Sequence, residues 1–182
     1  SRLKPNEKCY FDDLDIDLSS INKIYIIACG TAMHAGLATK YTFEHFCKIP
    51  AYVDMASEFR YRDPLIDNHT LCIFVSQSGE TADTIAALKL AKNAGSTTLA
   101  VVNVIGSSIT RIADHTIYTH AGPEIAVAST KAYTCQVVLL NILAVYFAEL
   151  LGKTSQELED FKTEILELPD KLKLILDSTK NI

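Results

Sequence analysis

Short apolar runs alternate along the chain with longer segments in which apolar residues recur at helical spacing. Continuous runs rich in Ile, Val, Leu and Thr are typical of strands buried on both faces of a parallel sheet. The predicted strands are residues 23–28, 51–55, 70–75, 97–102 and 116–119. The predicted helices are residues 32–47, 81–93, 106–113 and 130–151, followed by a last helix capped by Thr154.

The order of these elements predicts the fold class and the domain limits. Strands that alternate with helices imply right-handed crossovers and a parallel sheet with helices on both faces, an α/β three-layer sandwich. We divide the chain into an irregular lead-in (1–18), a main domain (19–152) and a C-terminal helical extension (153–182). Pro169 falls inside the last helical pattern, so we expect a kink or break there.

Composition narrows the possible functions. The chain has 182 residues, of which 48% are hydrophobic, which suits one compact domain with a core. Its formal net charge of -5 argues against a nucleic-acid partner. The longest apolar stretch, residues 137–147, is interrupted by Asn141 and is shorter than a bilayer span requires, so we expect no membrane partner.

The cysteines and histidines show no metal-binding pattern. The five cysteines are odd in number and form no CxxC pair, which argues against a disulfide framework and against zinc. A reducing, cytoplasmic location fits this usage best. The histidines are scattered, and none stands at metal-ligand spacing with another histidine or a cysteine. We therefore expect neither a metal nor another cofactor.

The loop Ser76-Gln77-Ser78-Gly79-Glu80-Thr81 follows a buried strand and opens a helix. Free amide groups and partial positive charge at a helix start favour an anion, Gly79 permits a tight turn, and three hydroxyl side chains add donors. Neutral donors around one pocket suit a phosphate monoester. The loop lacks the Gly-Lys-Ser/Thr of nucleoside-triphosphate loops, and no GxGxxG follows a strand, which argues against nucleotides. The alternative is that these residues only cap the helix.

Three further segments are ambiguous when judged alone. Helix capping is the simpler interpretation of two of them. One is Cys29-Gly30-Thr31, and the other is residues 124–131, in which Ser129 or Thr130 can be the cap. Residues 57–62 place two arginines beside aromatic residues. They could contact a ligand or a partner subunit, or form a solvated helical turn with an internal ion pair.

Together, four segments resemble the glucosamine-6-phosphate synthase family, specifically the first of its two sugar isomerase (SIS) domains. They are Cys29-Gly30-Thr31, Ser76 to Thr81, residues 127–131 (Val-Ala-Ser-Thr-Lys) and residues 56–62 (Ala-Ser-Glu-Phe-Arg-Tyr-Arg). The resemblance covers about residues 24–150. The Ser-x-Ser-Gly-x-Thr loop alone marks the wider SIS superfamily, and the other segments narrow the match to the synthase.

The resemblance implies a Rossmann-like SIS fold with a five-stranded parallel sheet, and it assigns roles to named residues. The implied ligand contacts are Ser76, Gln77, Ser78 and Thr81 to the sugar phosphate, with help from Thr31, and Val127 and Ser129 to the sugar. The implied supporting residues are Gly30, Gly79, Glu80 and Ala128. Ala32 departs from the serine that the family commonly has, which removes one donor worth about 1 kcal/mol.

The resemblance also implies an activity. Family members are glutamine:fructose-6-phosphate aminotransferases (isomerizing), transferases of amino-sugar biosynthesis that supply the precursor of UDP-GlcNAc. They carry an N-terminal glutaminase domain and a second SIS domain, and their isomerase acid/base residues lie beyond the matched segment. We therefore assign no catalytic residue here and expect this chain to supply the cradle for a hexose 6-phosphate and to be inactive alone.

Other interpretations remain open at this stage. The chain ends on a charged helical pattern without an obvious finish, so we expect a piece of a longer protein. The alternatives are a stand-alone sugar-phosphate-sensing regulatory SIS module, and a structural domain whose loops only cap helices. The apolar faces of residues 154–176 and 137–150, together with the resemblance, predict a homodimer.

Overall fold

A five-stranded parallel sheet forms the centre of the structure, a computed structural model that describes residues 3–4, 7–12, 14–125 and 129–179. The strands are β1 (Lys23–Ala28), β2 (Ala51–Met55), β3 (Thr70–Ser76), β4 (Thr97–Val102) and β5 (His115–Tyr118). They lie in the order β2-β1-β3-β4-β5, and every neighbouring pair is parallel. The predicted α/β fold is confirmed.

Helices cover both faces of this sheet. They are α1 (Gly30–Cys47), α2 (Ala56–Phe59), α3 (Ala82–Asn93), α4 (Lys131–Leu150) and α5 (Gln156–Ser178). The short helix predicted at residues 106–113 is a 3-10 helix of four residues, Ser108–Arg111. The arginine-bearing segment 57–62 starts within α2 and continues as a turn, so it contains the helical turn that one interpretation proposed.

Strand β3 lies in the middle of the sheet, and all seven of its residues are buried. Successive side chains of a strand point to opposite faces. Leu71, Ile73 and Val75 accordingly pack with α1 and α4, whereas Cys72 and Phe74 pack with α3 on the other face. This two-sided burial explains why β3 reads as a continuous apolar run rather than as an alternating one.

The strand order reverses between β1 and β3. From β1 the chain runs to β2, at one edge of the sheet. From β3 it runs through β4 to β5, at the other edge. Ala28 and Val75, near the carboxyl ends of the two central strands, are paired in register. The loops that begin at Cys29 and Ser76 therefore leave the sheet side by side, at the kind of crevice where open α/β sheets bind ligands.

The described residues of the lead-in form no helix or strand, yet they add six buried apolar side chains to the core. These are Leu3, Cys9, Phe11, Leu14, Ile16 and Leu18. Hydrogen bonds hold this segment on α4: the Cys9 amide donates to Glu149 Oε2 at 2.7 Å, the Cys9 thiol donates to the Ile142 carbonyl at 3.8 Å, and Tyr146 Oη donates to the Leu14 carbonyl at 2.9 Å. The lead-in is thus packed against the domain.

Helix α5 differs from its prediction in two respects. Ser155, not Thr154, is the N-cap, and its Oγ accepts a hydrogen bond from the Leu158 amide at 3.2 Å. The helix also continues through Pro169 to Ser178, so the alternative of a break at the proline is wrong. Pro169 lies in an exposed part of the helix, and its missing N–H removes one helical hydrogen bond.

Helix α4 is long and apolar enough to cross a membrane by length and composition, which corrects the prediction that its apolar stretch is too short. Of the apolar window, 44% is buried inside the domain. Leu140, Leu143 and Phe147 are fully buried and belong to the core cluster that includes residues of α1. In this fold α4 serves as a core helix of the domain.

Candidate functional site

A cavity of about 250 Å³ lies at the carboxyl ends of β1 and β3. It is lined by residues from the two central loops, from α1, α3 and α4, and from the segment before α4. The lining residues are Cys29, Thr31, Ala32, Val75, Ser76, Gln77, Ser78, Thr81, Thr84, Glu124, Ser129 and Gln136. The structure thus brings six of the predicted site residues together: Thr31, Ser76, Gln77, Ser78, Thr81 and Ser129.

The loop after β3 presents its hydroxyl groups to the cavity. Ser76 Oγ accepts a hydrogen bond from the Gly79 amide at 3.0 Å and lies 3.4 Å from Thr81 Oγ1. Ser78 Oγ accepts one from the Glu80 amide at 3.2 Å. Because both serines accept these amide hydrogens through lone pairs, the O–H of Ser78 is left to donate. Either Ser76 or Thr81 can donate to the other, which leaves one O–H of that pair to donate to a ligand. The amides of this loop were predicted to be free for the ligand, but the Gly79 and Glu80 amides are used within the loop.

Thr81 precedes the first residue of α3, and its side chain makes no capping hydrogen bond. Capping is the role that a serine or threonine ordinarily has at this position. The Thr81 hydroxyl instead lies beside Ser76 on the cavity wall. The geometry therefore favours a ligand-facing Thr81 over the alternative in which this residue caps the helix.

Gly79 holds the loop close to the neighbouring 3-10 helix. Its φ is +68°, and a Cβ at this position would lie 2.2 Å from Ser107 Oγ. Its carbonyl accepts a hydrogen bond from the Ile109 amide at 3.1 Å. Glu80 Oε1 accepts one from the Ser108 amide at 2.7 Å, and the pKa of Glu80 is lowered first by the Ser108 hydroxyl and then by this amide. Neither Gly79 nor Glu80 lines the cavity.

The loop after β1 forms the opposite wall. Gly30 begins α1 with a φ of +57° and is not among the lining residues, whereas Thr31 and Ala32 are. Ala32 is 7% exposed, so the position at which the family commonly has serine contributes a methyl group to this wall. Behind it, Thr84 Oγ1 donates to Cys29 Sγ at 3.9 Å.

Glu124 organises the segment before α4. Its Oε1 accepts a hydrogen bond from the Thr130 amide at 2.9 Å, and its Oε2 accepts one from Ser129 Oγ at 3.1 Å. The Thr130 amide is the main reason why the pKa of Glu124 is lowered, and the Ser129 hydroxyl adds to the effect. Thr130 makes no side-chain cap, so Glu124, which was not predicted, fills that role for α4. Val127 and Ala128 lie outside the described residues.

The cavity offers neutral donors rather than cations to an anion. No lysine or arginine is among the described residues that line it. Arg60 instead pairs with Asp83 at 2.8 Å, and Arg62 pairs with Asp54. Hydroxyl groups and the N-terminal end of α3 are therefore the groups available to stabilise negative charge. Ser129, whose O–H is used by Glu124, presents lone pairs and can accept from a ligand hydroxyl.

Gln136 and Thr84 are cavity residues that sequence reasoning missed. Both are buried, at 2% and 1% exposure, and each lies on a helix, α4 or α3. The sequence signal for these two residues was a polar side chain on the face of a helix that packs inward. Helical spacing alone does not show which face packs inward, so the sequence could not identify them.

All five cysteines are free thiols. Burial raises the pKa of the Cys47 and Cys72 thiols to about 12, which keeps both protonated at neutral pH. Within the described ranges, no group of three or more His, Cys, Asp or Glu side chains is placed to hold a metal ion.

Comparison with protein families gives a match to the SIS domain over residues 17–146. The glutamine–fructose-6-phosphate aminotransferase [isomerizing] of Clostridium tetani is 54% identical over 98% of this chain. That of Fusobacterium nucleatum is 54% identical over 78% of the chain. The chain spans 30% and 23% of the length of these two relatives.

Comparison with solved structures finds chains of similar fold. The C-terminal domain of glucosamine-fructose-6-phosphate aminotransferase from Francisella tularensis superposes with a TM-score of 0.78 at 39% identity. The match covers 82% of this chain and 43% of that one. A putative phosphosugar isomerase from Clostridium difficile gives a TM-score of 0.73 at 26% identity and covers 84% of this chain and 43% of its own.

Proposed function

The chain belongs to the SIS domain family, and we propose that its cavity binds the phosphate group of a hexose 6-phosphate as the first SIS domain of a glutamine:fructose-6-phosphate aminotransferase. The observation that carries the proposal is the gathering of Ser76, Ser78 and Thr81 hydroxyls around one cavity at the switch in strand order. The names of the relatives supply the substrate, fructose 6-phosphate.

A neutral cradle suits a substrate that must be released after each turnover. The hydroxyls donate to phosphate oxygens, and the N-terminus of α3 contributes partial positive charge. Binding of the phosphate fixes one end of the sugar, so that the carbon atoms that react are presented in one orientation. Such positioning contributes a large share of the rate when reactive groups are supplied nearby.

The proposed reaction needs more than this cradle. Conversion of fructose 6-phosphate and ammonia to glucosamine 6-phosphate requires ring opening, imine formation at C2 and transfer of a proton from C1 to C2. The proton transfer requires a base within hydrogen-bond reach of these carbons. We assign that base to the second SIS domain and the ammonia source to the glutaminase domain of a longer protein, which acts in the cytoplasm as a homodimer.

Isothermal titration calorimetry with fructose 6-phosphate tests the cradle. We expect saturable binding to the wild-type chain and a loss of roughly 5- to 10-fold in affinity for Ser76→Ala and for Thr81→Val, since each removes one donor to a charged group. Ser19→Ala, at an exposed position just before β1, is the matched control and should bind like wild type.

Two results would contradict the proposal. The first is the absence of any binding or thermal stabilisation of the wild-type chain by millimolar fructose 6-phosphate or glucosamine 6-phosphate. The second is an equal affinity of wild type, Ser76→Ala and Thr81→Val, which would place the phosphate elsewhere. Turnover of fructose 6-phosphate and ammonia by this chain alone would contradict the narrower claim that the base lies in another domain.

A further inference from the structure

We infer that Gln136 is a specificity residue of the cavity, whose side-chain carbonyl accepts a hydrogen bond from a hydroxyl group on the carbon skeleton of the bound sugar phosphate. The inference rests on the proposed function, because it names a further contact within the same site. It concerns recognition of the sugar rather than of its phosphate.

Gln136 combines three properties. Its side chain lines the same cavity as the hydroxyls of Ser76 and Thr81, although it comes from α4 rather than from the central loops. The residue is 2% exposed. Its Oε1 is buried and has no hydrogen-bond partner among the described residues. A buried amide oxygen without a donor is costly, which favours a partner that binds there. This oxygen is almost inaccessible to water in the structure, so the contact requires the side chain to turn toward the cavity when the ligand binds.

The chemistry of Gln136 Oε1 indicates which kind of ligand group binds it. An amide oxygen only accepts hydrogen bonds, and so do the oxygens of a phosphate dianion, so the two would repel each other. A sugar hydroxyl can donate. Ser129 also presents lone pairs to the cavity, because its own hydrogen is given to Glu124. Acceptors from α4 and from the segment before it are thus available on one side of the cavity and donors of the loop on the other, which suits a ligand with hydroxyls at one end and phosphate at the other.

Asn141, on the same helix, shows what a structural amide looks like here. Its Oδ1 accepts from Thr42 Oγ1 at 2.8 Å, and its Nδ2 donates to the Val137 carbonyl at 3.0 Å. The first contact joins α4 to α1, and the second lies within α4, one turn toward its N-terminus. Gln136 has no corresponding contact for its Oε1, so the two amides should respond differently to replacement.

The experiment compares Gln136→Met, which keeps the length of the side chain and removes its hydrogen bonds, with Asn141→Leu as the matched control. Melting temperatures of the ligand-free chains and calorimetric affinities for fructose 6-phosphate and for inorganic phosphate are measured for both variants and for wild type. We expect Gln136→Met to melt at or above wild type, to lose roughly 5- to 10-fold in affinity for fructose 6-phosphate and to bind inorganic phosphate unchanged. Asn141→Leu should melt lower and bind both ligands like wild type.

Each contrary outcome has a distinct meaning. Equal affinity of Gln136→Met and wild type for fructose 6-phosphate overturns the inference and leaves the proposed function standing. An equal loss for both ligands overturns the assignment to a hydroxyl, because the amide would then act on the phosphate. A lower melting temperature with unchanged affinity shows a structural role. Failure of the wild-type chain to bind fructose 6-phosphate overturns both proposals.

Discussion

Gly79 is the residue at which the backbone of the cradle tolerates least change. Its φ of +68° is strained for a residue with a Cβ, and that Cβ would also collide with the Ser107 side chain. We expect Gly79→Ala to lower the free energy of unfolding by more than about 2 kcal/mol, since the left-handed backbone alone costs about 1 to 2 kcal/mol. Urea denaturation measures the change.

Gly152→Ala separates the two contributions to that loss. Gly152 has the same φ of +68°, but a Cβ there would meet nothing within 4 Å. Its replacement should therefore cost only the backbone term, about 1 to 2 kcal/mol. Equal losses for the two variants would mean that the close approach of Gly79 to Ser107 does not matter for the stability of the domain.

Individual site residues were predictable to different extents. Ser76, Ser78 and Thr81 could be placed because a buried strand, a glycine and a helix start are all visible in local sequence. Glu124 and Gln136 could not, because their roles depend on contacts across the fold. The inward face of Gln136 is set by the packing of α4, and Glu124 reaches forward past the turn to cap that helix.

Among the elements, α5 depends on one buried ion pair for its position. Lys162 Nζ donates to Glu149 Oε1 of α4 at 2.9 Å, to Glu159 Oε1 at 3.0 Å and to the Glu7 carbonyl at 2.8 Å. The side chains of Lys162 and Glu149 are 3% and 5% exposed. Three segments of the chain are therefore joined at one ammonium group.

We expect Lys162→Met to lower the free energy of unfolding by about 3 to 5 kcal/mol, because it leaves the Glu149 carboxylate buried without its counterion. Lys171→Met is the matched control on the same helix: Lys171 also pairs with two glutamates, Glu164 and Glu167, but is half exposed. It should unfold like wild type in urea. A similar loss for the two variants would contradict a special role of the buried pair.

The pH dependence of this contact follows from the direction of the shift. Burial lowers the pKa of Lys162, but the hydrogen bonds with Glu149 and Glu159 outweigh it, so the pKa is raised above the ordinary 10.5. A raised folded-state pKa means that the stabilisation is fully present below the unfolded value. It is lost as the pH rises through the folded value, so the contact is intact at neutral pH.

The regular elements were predictable because their signals are local. Strands β1, β2 and β4 begin and end where the apolar runs do, and β3 extends one residue further, to Ser76. The path of α5 through Pro169 was not predictable, because a proline can kink a helix or end it and the local sequence does not decide between the two. The burial of the lead-in was also not predictable, because its apolar residues are separated by acidic ones and pack against helices that are distant in the sequence.

At the scale of the whole molecule, apolar surface remains exposed on the second half of α5. Leu168, Leu172 and Ile175 recur at helical spacing and are 37%, 49% and 57% exposed. Helix α4, which also suggested an interface in the sequence, buries 44% of its apolar window in the core and leaves Leu150 half exposed. The more exposed apolar stripe lies on α5.

We predict that this stripe of α5 joins two copies of the chain, because burial of exposed Leu and Ile side chains is favourable and a two-fold axis lets one stripe cover another. Light scattering at micromolar concentrations should give the mass of a dimer for wild type and of a monomer for the double variant Leu172→Glu/Ile175→Glu. Asp170→Lys changes charge on the opposite side of the same helix and should leave the dimer intact. A wild-type monomer across the micromolar range would contradict the prediction and leave the stripe for another segment of a longer protein, whereas a dimer that survives the double variant would place the interface on a different surface.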